Sequence, residues 1–342
     1  MKALVFVVSG LILMLYLSVH FVVILPQSYW YFHTTLGFLH YLFVHAVLAS
    51  TCYAYYCIVS TGPGEVPVLW VPQGFTDEQL EAAKASTPKK RSQGLNRPRY
   101  CSKCAVFKPP RSHHCSICDR CVPRMDHHCP WVNNCVGNDN HKLFVVFLFW
   151  GVFGIIYGLF LLLLRLVLMF RSIVMDVPIT MTPLQGAVIG LNLVTLLPIV
   201  LGMLSLFCWQ MNLAGLNTTT IEFHEKQWQT RVARTKKRKF RWPYDFGVCE
   251  NFHLFFGKSY ATWFLPVPPK NLGDGLYYPI SLTEEQLEEI RKWEEEDEEE
   301  ARKSEMEHVE EVDAPPLSQL PESLLEDKDT IRSRGEDRIQ VV

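Results

Sequence analysis

The sequence predicts an all-α polytopic membrane protein: four transmembrane helices, with a small cytosolic two-zinc Cys/His-rich module between helices two and three. Three observations predict it. Charge is segregated: 33 Lys and Arg against 35 Asp and Glu leave a net −2, yet residues 3–25, 143–164 and 184–209 hold no charged side chain. Seven of the eleven cysteines crowd between Cys101 and Cys135, interleaved with histidines. Lys and Arg concentrate on one set of connections between the apolar blocks. An aromatic content of 13% is too rich for wholesale disorder. A net charge near zero gives no sign of a nucleic-acid partner.

A helix crosses the hydrocarbon core with about 20 apolar residues. Four stretches reach that length: 3–25, ending at Pro26, then 36–58, 143–164 and 184–209. The first is longer than the apolar core of a signal peptide and no small-residue cleavage site follows it, so it reads as a retained span. Residues 26–35 carry no Lys or Arg, whereas 61–142 carry twelve, and a basic run from Arg231 to Arg241 follows the fourth span. The positive-inside rule then puts the 61–142 loop and both termini in the cytosol. Arg165, at the far end of span three, is expected to snorkel to the opposite interface. His40, His45 and Asn192 lie inside spans and are expected to make interhelical hydrogen bonds. Pro198 should kink the fourth span.

The segments between and after the spans follow in order. Residues 1–60 hold the first two spans, and Thr61-Gly62-Pro63-Gly64 then forms a turn. Thr76 to Gln79 is a capping box, which starts a helix running to about Ala85. Residues 86–98 are a linker that closes the 61–98 segment; the Cys/His module of 99–142 abuts span three and must sit against the membrane. Spans three and four occupy 143–210. Residues 211–257 mix aromatic and polar groups and are expected to pack under the spans. In the last segment, 258–342, a Pro/Gly-punctuated loop leads to a second capping box at Thr283–Gln286 and an acidic helix. Residues 284–313 hold 16 acids and 4 bases, a pattern that is usually solvated, and 312–342 read as disordered. The basic run 231–241 has two readings, contact with anionic lipid headgroups or a solvated amphipathic helix.

The chemistry is concentrated in one run. It reads Cys101-x2-Cys104, His113-His114-Cys115-x2-Cys118-x2-Cys121, Asp126-His127-His128-Cys129 and Cys135. Paired C-x2-C knuckles interleaved with His indicate structural zinc in a reducing compartment. Two tetrahedral sites need eight N/S ligands, so with seven Cys and five His (His141 included) at least one thiol is left over. Spacing leaves open which one. A zinc-bound thiolate is a poor nucleophile, while a spare thiol beside His and Asp is an activated one. Asp126, an imidazole and Cys129 match an orienter, a base and a nucleophile.

Asp126-His127-His128-Cys129, followed by Pro130-Trp131-Val132-Asn133-Asn134-Cys135, resembles the signature of the DHHC cysteine-rich-domain protein S-acyltransferases. Lys108-Pro109, Arg111, His114-Cys115, Asn140 and Phe144 stand at that family's spacing. Thr219-Thr220-Ile221-Glu222 resembles its TTxE motif, and Asn251 within Asn251–Gly257 its C-terminal aromatic segment. One departure is Gly62-Pro63-Gly64, where the family has Asp-Pro-Gly. The likeness covers roughly residues 1–257.

The resemblance implies two interleaved structural zinc ions, one on Cys101, Cys104, His114 and Cys121, the other on Cys115, Cys118, His128 and Cys135. It leaves Cys129 as nucleophile, His127 as base and Asp126 as orienter, with no role for His113 or His141. The implied activity is protein S-palmitoyl transfer. Cys129 takes the acyl group of palmitoyl-CoA or another fatty acyl-CoA, then passes it to a substrate protein with a membrane-proximal cysteine, in the lipid bilayer of an endomembrane (endoplasmic reticulum or Golgi). Gly151, Gly154 and Gly158 recur on one face of span three. They serve either close helix packing or a deeper acyl cavity, and by resemblance Gly154 lies near that cavity's luminal end. Two other readings are a zinc scaffold with an inert Cys129 and an acyl-CoA thioesterase; the intact Asp126-His127-His128-Cys129 run argues against the scaffold.

Overall fold

A computed structural model describes residues 2–85, 97–175, 182–267 and 273–313. Most of the expected linker 86–98 and the tail from 314 lie outside the described residues. The chain divides into two units, residues 1–282 and 283–342. Among its described residues the second contributes one helix, Glu284–Asp313, opened by the expected capping box: Gln286 N–H donates to Thr283 Oγ1 at 3.4 Å and Thr283 N–H to Gln286 Oε1 at 3.1 Å.

The first unit is mostly helical. Among the described residues four membrane-capable helices cover Ala3–His33, Thr35–Ser60, His141–Ser172 and Pro183–Gly215. The first is built from α1 (Lys2–Val19), a π turn (His20–Ile24), a 3-10 turn (Leu25–Gln27) and α2 (Ser28–His33). It therefore runs past Pro26, the expected end. Proline in the opening turn of a helical segment loses no hydrogen bond, because that N–H has no partner anyway. The π turn begins where the His20 ring nitrogen reaches the Tyr16 carbonyl at 3.1 Å, competing with the regular ladder.

Helix α3 (Thr35–Ser60) is capped by Thr34, whose hydroxyl accepts from Gly37 N–H at 3.0 Å. The short α4 (Asp77–Ala85) occupies its expected place behind the Thr76–Gln79 box. Helices α5 (His141–Met175) and α6 (Pro183–Gly215) are longer than their apolar runs; α6 opens with a Thr182–Gln185 capping box and Pro183. The polar residues inside the spans pair between helices. His40 meets the Tyr157 and Tyr31 hydroxyls, Tyr16 Oη lies 3.4 Å from His45 Nε2, and Asn192 Nδ2 donates to Ser18 Oγ at 2.8 Å. Arg165, expected to snorkel to the opposite interface, is only 7% exposed.

Between α3 and α5 lie three two-stranded antiparallel hairpins: β1–β2 (Arg99–Cys101, Val106–Lys108), β3–β4 (His113–Cys115, Arg120–Val122) and β5–β6 (His127–Cys129, Asn134–Val136). They repeat every 14 residues: Cys101, Cys115 and Cys129 open equivalent turns, which each pass through a left-handed residue, Ala105, Asp119 and Asn133. After α6 come α7 (Thr220–Thr235) and α8 (Val248–Phe256). The buried face of α8, Phe255 and Phe256, closes over Val145 of α5 and Ala214 of α6.

The module is fastened to the ends of the spans. Asn140 Nδ2 donates to the Thr61 and Cys135 carbonyls at 2.9 Å, Asn134 Nδ2 to the Thr61 carbonyl at 2.8 Å, and Tyr55 Oη to the Trp131 carbonyl at 2.9 Å. In the Gly62-Pro63-Gly64 turn, Gly64 takes a φ of +96°, and Asp139 N–H donates to the Pro63 carbonyl at 3.3 Å.

Candidate functional site

The hairpin repeat distributes the cysteines. In β3–β4 the directly opposed residues are His114 and Cys121, and in β5–β6 they are His128 and Cys135. Each such pair meets the turn cysteines of the hairpin before it. Cys101, Cys104, His114 and Cys121 converge, and so do Cys115, Cys118, His128 and Cys135, with the ligand atoms of each group within 4.8 Å of one another. In β1–β2, which has no hairpin before it, the corresponding pair is Tyr100 and Phe107, rings in edge contact at 5.2 Å.

Both groups fit a metal ion. Around a tetrahedral zinc with Zn–S of ~2.3 Å and Zn–N of ~2.0–2.1 Å, neighbouring ligand atoms stand about 3.6–3.8 Å apart. Here Sγ to His Nδ1 distances are 3.6 and 3.2 Å in the first group, and 3.7, 3.4 and 3.5 Å in the second. Three thiols and one imidazole, largely buried, make a donor set that suits zinc.

Cys129 belongs to neither group. Its turn carries Val132 where the earlier two carry Cys104 and Cys118, and α5 follows instead of a fourth hairpin. Strand alternation then separates two neighbouring histidines: His128 points to the ligand side, while His127 and Cys129, two residues apart, share the other face. The His127 ring packs edge-on against Phe144, centroids 5.2 Å apart. On its other side Nδ1 donates to Asp126 Oδ2 at 2.6 Å.

Asp126 is 1% exposed and receives four donors. Besides His127, Gln210 Nε2 and Thr220 Oγ1 donate to Oδ2 at 3.0 and 3.2 Å, and Thr220 N–H donates to Oδ1 at 2.6 Å. Thr220 is the first residue of α7, so the carboxylate also sits at a helix N-terminus. Burial disfavours its ionisation, but the neighbouring His141 and His127 rings and the Thr220 N–H hold it well below the usual carboxylate range. For His127 burial acts the other way and lowers its pKa; the bonds to Asp126 and Cys129 outweigh that and raise it to about 9. The ring thus has a strong affinity for a proton, the property that a general base needs.

Beside Cys129 opens an apolar cavity of about 570 Å³, reaching from Cys129, Trp131 and Phe144 to Tyr16, Tyr157 and Leu161. Along α5 the stretch from Phe144 to Leu161 rises about 26 Å. The three glycines of this face are not equivalent. A Cβ on Gly151 would come within 2.7 Å of Met203 Cε, and one on Gly158 within 2.8 Å of Leu15 Cδ1; both let neighbouring helices approach. A Cβ on Gly154 meets Thr51 Oγ1 at 3.4 Å and Val47 Cγ1 at 3.6 Å, ordinary contacts, so this glycine leaves room.

Some site residues carried no sequence signal. Gln210 sits just beyond an uncharged apolar run, and His141 had no assigned role, yet both are fully buried around Asp126. Thr219, Thr220 and Glu222 are brought under the module by Arg111. Its guanidinium binds Glu222 through two contacts, 2.6 and 2.7 Å, and the Asn217 carbonyl at 2.9 Å. A smaller cleft on the module is lined by Arg99, Lys108, His113, Glu225 and Trp242.

Fold and site together define a chain of membrane-capable helices carrying a metal-finger module, with a histidine-flanked thiol at the mouth of an apolar cavity. The chain belongs to the DHHC palmitoyltransferase family, whose model matches residues 95–227. It is 38% identical over 246 residues to "Palmitoyltransferase PFA4" of Mycosarcoma maydis, covering 68% of this chain and 51% of that one. It is 35% identical to "Probable protein S-acyltransferase 13" of Arabidopsis thaliana, covering 66% of this chain and 70% of the relative. For "Probable protein S-acyltransferase 16" of the same plant the identity is 33%, over 68% and 77%. The match thus spans about half of the fungal relative and most of the two plant ones.

Proposed function

We propose that the chain is a protein S-palmitoyltransferase working by two thioester exchanges at Cys129, on the cytosolic face of an endomembrane such as the endoplasmic reticulum or Golgi. The observation that carries this is the placement of Cys129: outside both ligand groups, on the same strand face as His127, and at the mouth of the apolar cavity. In the first exchange the Cys129 proton moves to His127 Nε2 and the thiolate sulfur attacks the carbonyl carbon of a fatty acyl-CoA. A C–S bond to Cys129 forms, the C–S bond to CoA breaks, and the CoA sulfur takes the proton from His127 and leaves as a thiol, freeing Nε2. In the second, the thiol of a substrate protein's membrane-proximal cysteine gives its proton to His127 and attacks the Cys129 thioester. The acyl group passes to that sulfur and the proton returns to Cys129.

Asp126 keeps the His127 proton on Nδ1, so that Nε2 is the nitrogen offered to sulfur. Two zinc ions on the Cys3His groups supply rigidity and folding energy and take no part in the exchanges. An extended 16-carbon chain, at about 1.25 Å per C–C bond, is about 19 Å long. It fits within the roughly 26 Å between Phe144 and Leu161, where each buried CH₂ contributes about 0.8 kcal/mol. The CoA phosphates call for basic side chains, and the module carries Lys and Arg at several places.

The test is incubation of the purified chain with labelled palmitoyl-CoA. Wild type should acquire a hydroxylamine-sensitive label and pass it to a cysteine peptide in a vesicle. Cys129→Ser should acquire none while keeping its zinc. Release of free fatty acid with no dependence on a protein thiol would establish a thioesterase instead, and an unlabelled wild-type chain would refute the reading.

A further inference from the structure

We propose that Gln210 and His141 are positioning residues of the acyl-transfer site: together they hold the Asp126 carboxylate in the one orientation that presents His127 to Cys129. The inference rests on the reading of Cys129 as acyl carrier. It begins with Arg124, buried without exposed surface, whose Nη1 lies 3.3 Å from His141 Nδ1. A guanidinium has only donors, so His141 Nδ1 is the acceptor and the ring proton is on Nε2. That Nε2–H donates to Gln210 Oε1 at 2.7 Å. With its oxygen taken, the amide can offer only its nitrogen to Asp126, and Nε2 does lie 3.0 Å from Oδ2. Asp126 Oδ2 accepts in turn from His127 Nδ1.

Every group in this chain has one permitted way round, and the polarity is set at Arg124. The amide is the weak point, since its oxygen and nitrogen ends have nearly the same shape. Without a donor at position 141 its oxygen is left buried and unpaired, so the amide loses its anchor and can draw away from the carboxylate. Asp126 would then shift, and the His127 ring with it. The chain also ties the first residue of α5 and the last turns of α6 to the module, so the two helices flanking the cavity hold the orienting carboxylate between them.

Neither residue reaches the reacting atoms, which separates their effect from a binding effect. In the purified full chain, His141→Leu should slow acyl-Cys129 formation about tenfold, with the half-saturating acyl-CoA concentration and the zinc content at wild-type values. His141→Gln places an N–H where the imidazole Nε2–H stood, and should recover the rate to within about threefold of wild type. Gln210→Met keeps length without the amide and should match His141→Leu. The double variant should be no slower than either, because both break one chain. Should His141→Leu lose zinc through misfolding, Gln210→Met carries the same comparison. The proposal is overturned if His141→Leu or Gln210→Met, with zinc retained, acylates at the wild-type rate. It is equally overturned if His141→Gln is as slow as His141→Leu, which would mark a packing role. A wild-type chain that forms no thioester refutes the acyl-transfer reading itself; a labelled wild type with unsplit rates refutes only this inference.

Discussion

At the scale of single residues, the strongest charge pair lies away from the thiol. Arg111 and Glu222 have side chains 2% and 3% exposed and meet through two parallel N–H···O contacts. The loss of hydration is offset by Asn217 and by the rings of Tyr244 and Tyr278, 4.4 and 5.1 Å from the guanidinium carbon. Burial disfavours a charged Glu222, but Arg111 overrides it and holds the carboxyl below the usual glutamate range. Glu222→Gln leaves a buried guanidinium without its counter-charge and should destabilise the chain by about 3–5 kcal/mol. Thermal unfolding in detergent at neutral pH checks this. The sign with pH follows. A carboxyl whose folded pKa is lowered contributes fully above the ordinary value of about 4.3 and loses that contribution as pH falls through the folded value, so the gap between variant and wild type should narrow in acid. Gly154 offers a second, independent prediction. Gly154→Ala adds a Cβ at ordinary contact distance and should leave acylation unchanged. A ring at the same site enters the cavity, so Gly154→Phe should shift preference toward shorter acyl-CoAs. Competition between acyl-CoAs of graded chain length measures it, and unchanged selectivity with zinc retained would count against an acyl chain in this cavity.

At the scale of elements, the hairpin repeat explains why seven cysteines leave one free. Each turn hands its two thiols to the His/Cys pair of the next hairpin, and the third turn has no successor. Zinc stoichiometry should therefore separate two cysteines that sequence spacing alone leaves equivalent. Cys121→Ser removes a ligand of the first group and should lower bound zinc from two toward one per chain, with a less stable module. Cys129→Ser should leave it at two. Elemental analysis of the purified variants decides between them. The four spans and the C-x2-C knuckles were legible because long apolar runs and ligand spacings are one-dimensional signals. The hairpins were not, since strands of three residues are too short for an alternation to show. Pro26 misled as an end point because a break in the hydrogen-bond ladder need not end a helix that restarts around it. The sequence resemblance pointed to Thr219–Glu222 but held no trace of why these residues matter. The docking of α7 onto Asp126 spans 94 residues of chain, and the Arg111–Glu222 pair that ties the same helix to the module spans 111.

At the scale of the first unit, the hydrogen bonds and packing fix which chain ends lie together. The module is tied to the C-terminal end of α3 through Thr61 and runs straight into the N-terminal end of α5 at His141. The end of α6 at Gly215 accepts from Asn251, and α7 starts beneath the module. Near the start of α1, Val5 packs against the core that contains Cys129 and Ile58, and its carbonyl lies 3.4 Å from Tyr55 Oη. So the beginning of the first span, the module and the segment after the fourth span share one side, as an even number of crossings requires. The proposed function takes that side as the cytosolic one, a reading supported by twelve Lys and Arg in residues 61–142 against none in 26–35. An acyl carrier there can draw on cytosolic acyl-CoA and reach cytosolic thiols without moving a charged headgroup through the bilayer. A reporter scanned along the chain should follow this layout. Glycosylation acceptors carried on a spacer inserted at Thr34, between the first two membrane-capable helices, or within residues 176–181 should be modified in microsomes. Acceptors before residue 3, within 61–98 or after 282 should stay unmodified, and protease added to sealed microsomes should remove the tail beyond 282. Modification of an acceptor within 61–98 would put Cys129 on the luminal side, where acyl-CoA and reduced cytosolic cysteines are both out of reach, and would end the proposed activity whatever the geometry of the thiol.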